Sequence, residues 1–105
     1  TKWIEAVKGK DQPFFCYIPT NAPHSPLDVR PEDEARYKDQ VKQPNVAKFF
    51  GMVANIDDNV GKLLEKLKEW GLEKDTLVIF MNDNGGTAGV PVFNAPYSNT
   101  RSVAE

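Results

Sequence analysis

Cysteine is almost missing from this chain: Cys16 is the single one among 105 residues. No intramolecular disulfide and no cysteine-based zinc site can form. Neither sign of charge dominates, with 13 basic against 15 acidic residues and a net charge of -2. That balance leaves no electrostatic footprint for nucleic acid or an anionic membrane. No apolar run approaches the ~20 residues of a membrane span. No basic stretch precedes an apolar one, so no signal peptide is visible from Thr1 onward, and the compartment is not readable. There is no internal repeat and no low-complexity tract. What is present is ordinary for a globular chain: 40% hydrophobic and 27% charged, too apolar for disorder. The length allows at most one small domain, near the lower end of what buries its own core. An active site drawn from many segments of a large fold cannot be complete within it.

The apolar pattern predicts α/β architecture. Trp3, Ile4 and Val7 share a helical face and Gly9 is a natural stop, which gives a helix over 1–8. Phe14-Phe15-Cys16-Tyr17-Ile18 is nearly continuous apolar sequence between Pro13 and Pro19, as in a strand buried on both faces. Cys16 there reads as a small buried hydrophobe rather than a reactive thiol. Residues 19–44 form a long loop rich in proline, with a short helix starting at Pro31. A helix follows over 45–70, with Asn45 as a candidate cap. Its apolar stripe comprises Val46, Phe49, Phe50, Val53, Ile56, Val60, Leu63, Leu64 and Leu67. Gly71 and Leu72 suit a Schellman stop, and Trp3 and Trp70 suit the ends of the unit. A second buried strand is expected over 76–82, then a loop over 83–105. Strand, helix and strand make a right-handed βαβ unit with parallel strands. Two such strands need other elements to cover them.

Ligands in open α/β sheets bind beyond the carboxyl ends of the strands. That rule selects Thr20–Pro26 and Asn82–Gly86. His24, between Pro23 and Pro26, would be positioned by stiff backbone, as an acid, an oxyanion donor or a metal ligand. Its plain alternative is a solvated loop histidine. Asp83 and Asn84 offer adjacent oxygen ligands for a hard cation, and Gly85-Gly86 permits close backbone approach. The plain alternative is a turn. Asp57 falls on the apolar stripe, where a buried acid must be paired, and a structural role is favoured over catalysis. Asp58 and Asn59 point away from the stripe, into solvent.

Taken in order, Pro13–Tyr17, Asn21–Leu27, Met52–Gly61, Thr76–Phe80, Asn82–Gly86 and Pro91–Ala95 resemble the sulfatase family of the alkaline-phosphatase-like superfamily. The resemblance implies part of an α/β/α sandwich and hydrolysis of sulfate monoesters. It implies that Asp83 and Asn84 are metal ligands, for Ca²⁺ or Mg²⁺, and that His24 contacts the sulfate ester and assists the leaving oxygen. Periplasmic or secreted location is usual for the family. A formylglycine nucleophile would come from a C/S-x-P-S/A-R motif upstream. That motif is not in this chain, and Cys16 does not match it. The other metal aspartates are also missing, and Arg101 falls near a family lysine without its surrounding motif. The expectation is therefore a fragment of a sulfatase catalytic domain, inactive alone. The alternatives are a phosphatase or phosphonate monoester hydrolase of the same superfamily, or a non-catalytic, self-associating βαβ remnant.

Overall fold

The structure is a computed structural model, and it describes residues 1–83. Its elements are α1 (Lys2–Val7), α2 (Pro31–Ala35), α3 (Pro44–Glu69) and a 3-10 turn at Glu73–Asp75. No helix among the described residues is long and apolar enough to cross a membrane.

The helices start and stop for local reasons. α1 ends where Gly9 takes a positive φ of 78°, a conformation that side chains disfavour. α2 and α3 both begin on proline, at Pro31 and Pro44, whose fixed φ suits the first helical position. Asn45 therefore lies inside α3 rather than capping it, and Gln43 is the cap residue. The other end of α3 is a Schellman stop. The Leu72 amide donates to the Leu67 carbonyl and the Gly71 amide to the Lys68 carbonyl, both at 2.9 Å. Gly71 supplies the positive φ of 70° that this geometry requires. Lys66 and Lys68 in the last turn complement the helix dipole.

Packing follows the contact between α2 and α3. A Cβ on Gly51 would stand 2.9 Å from the backbone C and O of Asp33 and 3.0 Å from the Glu34 nitrogen. Glycine is what lets the two helices approach this closely. Tyr37 meets Phe50 edge-on, with ring centroids 5.7 Å apart. Val46, Ala47, Met52, Ala54, Leu67 and Ile4 form the buried apolar set. The buried face of α3 is thus rotated from the stripe that periodicity alone selects. Val53 and Leu64 are left exposed, while Val46 and Leu67 are covered. α1 is tied to the far end of α3 by the Lys8 ammonium, 4.9 Å from the centre of the Trp70 ring. Trp3 itself is exposed and meets Phe14 edge-on at 5.9 Å.

The α/β expectation is overturned. Among the described residues there is no strand and no sheet, so neither a βαβ unit nor parallel strands are present. Residues 14–18 and 76–81 carry no regular secondary structure and no hydrogen-bonded partner strand. Phe15 is 87% exposed and Leu77 85%, and Cys16 is exposed too. A run of apolar residues reports a demand for burial, but a ladder needs a neighbouring strand to exchange backbone hydrogen bonds. The described chain spends its apolar contacts between helices and offers no such neighbour.

The two mid-helix glycines of α3 make a paired test. Gly51→Ala forces a methyl into backbone, which costs about 1–3 kcal/mol of overpacking against about 1 kcal/mol gained in helix propensity. Gly61 has nothing within 4 Å of its Cβ position, so Gly61→Ala gains about 0.5–1 kcal/mol. Thermal melts followed by circular dichroism should show opposite shifts, downward for Gly51→Ala and upward for Gly61→Ala.

Candidate functional site

The candidate site begins in the proline-rich connection between the first apolar segment and α2. The Thr20 hydroxyl donates to the Ala22 carbonyl at 2.9 Å. The His24 amide donates to the Asn21 carbonyl at 2.9 Å, closing a turn, and the Asp28 amide donates to Pro26 at 2.9 Å. The Ala22-Pro23 and Ser25-Pro26 peptides are cis. His24 stands exposed on this turn. Its Nδ1 lies 2.7 Å from the Ser25 carbonyl. A carbonyl can only accept, so Nδ1 carries the proton. In the neutral ring Nε2 is then the acceptor, and in the cation it is a second donor.

Asp83 is exposed and follows the second apolar segment. Asn84 lies outside the described residues, as do Gly85, Gly86, Arg101 and the Pro91–Ala95 match. No group of three or more His, Cys, Asp or Glu able to hold a metal occurs among the described residues. Asp83 alone supplies a hard carboxylate oxygen of the type Ca²⁺ or Mg²⁺ takes. Asp57 is exposed on α3 and is not the buried acid that its place on the stripe suggests. The physical reason is the rotation of the buried face toward α2. Asp58 is half-buried and pairs with Arg36 at 2.8 Å. Asn59 is exposed, and its Nδ2 donates to the Asn55 carbonyl at 2.8 Å.

The buried acid is Asp33, 3% exposed. Its Oδ2 accepts from Arg30 Nε and from Asn55 Nδ2, each at 2.8 Å. Arg30 also reaches Glu32 at 3.3 Å. The cluster adjoins a cavity of about 130 Å³ whose walls include Ala22, Val29, Met52 and Asn55. Sequence reasoning passed over Arg30 and Asp33, which lie outside the matching stretches, and gave Asn55 no role although it lies within Met52–Gly61. A usable signal was there: Arg30, Asp33 and Arg36 repeat at three-residue steps, as do Asn55 and Asp58 on α3, one turn beyond a mid-helix glycine.

The Arg30 hydrogen bond holds the Asp33 carboxyl below its ordinary value of 3.8, with help from the Asn55 amide, although burial pushes it upward. The same bond raises the Arg30 guanidinium above its usual value. A carboxyl depressed in the folded state binds protons more readily when unfolded, so it favours folding more as pH rises. Its contribution is fully present above the unfolded value of 3.8 and is lost as pH falls through the lower folded value. Asp33→Asn should lower the melting temperature at neutral pH. It should also shrink the difference between native and variant as pH drops from about 5 toward 2. Melts across that range check both statements.

With the geometry described, comparison with known proteins is informative. The family model for Sulfatase matches residues 1–102. The chain is 33% identical to an endo-4-O-sulfatase from Bacteroides thetaiotaomicron, over 92% of this chain and 24% of that protein. It is 36% identical to a sulfatase from Formosa agariphila, over 90% of this chain and 19% of that protein. It is 28% identical to an arylsulfatase from Klebsiella aerogenes, over 79% of this chain and 28% of that protein. The chain therefore spans from about a fifth to a little over a quarter of the length of these relatives. No solved structure matches it. A match to the family model over nearly the whole chain, joined by several relatives that align with most of it, leads to one conclusion: this chain belongs to the sulfatase family.

Proposed function

We propose that this chain is the part of a sulfatase catalytic domain that presents His24 to a sulfate monoester and contributes Asp83 and Asn84 to a divalent metal site. The observation that supports this most is the His24 turn. It lies within the matched family region, and its Nδ1 is committed to the Ser25 carbonyl. Nε2 is thereby left as the working nitrogen, on an exposed ring.

The reaction converts a sulfate monoester and water into an alcohol and sulfate. As the S–O bond breaks, negative charge grows on the departing ester oxygen. A protonated His24 donates Nε2–H to that oxygen and delivers its proton to it. The Ser25 carbonyl steadies the imidazolium through Nδ1–H. Such positioned proton transfer contributes about 10²–10⁴-fold in rate. A bound Ca²⁺ or Mg²⁺ would neutralise charge on the sulfate oxygens, and the Asp83 carboxylate matches its preference for oxygen donors. The nucleophile and the remaining metal ligands belong to sequence not present in these residues. The substrate class named for the relatives, sulfate esters, is what connects this chain to that chemistry.

The 105-residue chain alone should not turn over a chromogenic aryl sulfate. In a longer polypeptide carrying this chain together with the C/S-x-P-S/A-R motif, His24→Ala should lower kcat/KM by about 10²–10⁴-fold. Asp83→Asn or chelation of divalent metal should abolish most of the remainder. Activity toward a phosphate monoester that exceeds activity toward the sulfate would favour the phosphatase alternative.

A second property is supported by exposure. Phe15, Tyr17, Leu77, Ile79, Phe80 and Met81 are all more than two-thirds exposed, from 72% to 87%. Apolar surface on that scale favours association, and for the chain in isolation the available partner is a second copy. Sedimentation velocity should show a weight-average mass that rises with concentration. A monomer throughout the micromolar range would remove this reading.

A further inference from the structure

The sulfate-facing role of His24 does not explain how an exposed ring on a long loop is held in place. The ring has one described hydrogen bond, to the carbonyl of its own neighbour Ser25. The residue is exposed. Its position therefore depends on where the loop backbone is anchored.

We infer that Arg30, Asp33 and Asn55 form the positioning device of the His24 loop, acting at both of its ends. At the downstream end, Arg30 closes the loop and gives Nε–H to the buried Asp33 carboxylate at 2.8 Å. At the upstream side, half-buried Ala22, two residues before His24, lies against the same cavity wall as Asp33 and Asn55. Asn55 ties the whole arrangement to α3 through its 2.8 Å bond to Asp33. One carboxylate oxygen thus receives the loop terminus from one side and the long helix from the other. Losing Asn55 leaves the Asp33 carboxylate hydrogen-bonded only within its own segment, to Arg30. Losing Asp33 removes the acceptor that joins Arg30 to Asn55, leaving the exposed Arg30 with Glu32 alone. Either loss frees the loop while the Schellman stop and the buried apolar residues of α3 remain.

A cluster that merely stapled α2 to α3 would be equivalent to the Arg36–Asp58 ion pair, 2.8 Å long and on the same helix pair. The two differ in what they touch. Arg36 lies beyond α2, away from the loop, whereas Arg30 is the loop's last residue. That difference supplies the control.

The inference rests on the reading that His24 contacts the ester, and the experiment separates the two. The native chain, labelled with ¹⁵N at histidine, should show the Nδ1–H tautomer of His24 that the Ser25 contact requires. Asn55→Ala and Asp33→Ala should each shift the ring toward the Nε2–H tautomer that a free imidazole favours. Asp33→Asn, which retains one acceptor oxygen, should restore part of the native ratio. Arg36→Ala should leave the ratio unchanged. Far-UV circular dichroism confirms that α3 persists in each variant, and Asn55→Ala and Asp33→Asn carry the test if Asp33→Ala does not fold. A native tautomer ratio in folded Asn55→Ala and Asp33→Asn would overturn the inference, as would an Arg36→Ala effect of equal size. Titration of the native chain with inorganic sulfate is read at the same nucleus. If the variants move the tautomer but sulfate leaves His24 unperturbed, positioning stands and the ester-contact reading falls.

Discussion

One carboxylate oxygen organises the described structure. Asp33 Oδ2 receives a guanidinium N–H and an amide N–H at the same distance, 2.8 Å. Burying an acid is unfavourable unless it is paired and hydrogen-bonded, and this one is both. The arrangement works only because α2 lies directly on α3, and that approach depends on Gly51 having no side chain. The glycine, the carboxylate and the two donors are therefore one device. The Arg36–Asp58 pair and the Tyr37–Phe50 edge contact extend it along the helix pair. They are more exposed, and exposed ion pairs contribute little by comparison.

This explains where the chemistry can sit. A five-residue helix has little stability of its own, so α2 persists through its docking, and the loop entering it inherits that anchorage. The Ser25 carbonyl 2.7 Å from Nδ1 favours the Nδ1–H tautomer of His24, and on the inference above the anchored loop sets the ring's approach. Asp83 has a different origin. It follows an apolar segment that has no regular secondary structure among the described residues.

Parts of this were legible in the residues. Gly71 followed by Leu72 specified a Schellman stop, and Gly9 a helix end, because positive φ is a local steric property. The strands were not legible. Phe14–Ile18 and Leu77–Met81 have the composition of buried strands, yet composition carries no information about whether a partner strand is available. Asp57 misled for a related reason: helical periodicity identifies an apolar stripe but not which side of it a neighbour will cover. Asp33 went unnoticed because its importance comes from Asn55, 22 positions along the chain.

By itself the sequence determined family membership and helix ends, which follow from ordered motifs and from local backbone preference. Tertiary structure alone decided which face of α3 is buried and which acid is paired. Those outcomes depend on the close approach of segments distant along the chain. A distance of 2.9 Å between a missing methyl and a neighbouring backbone is a property of two helices together and of neither one alone.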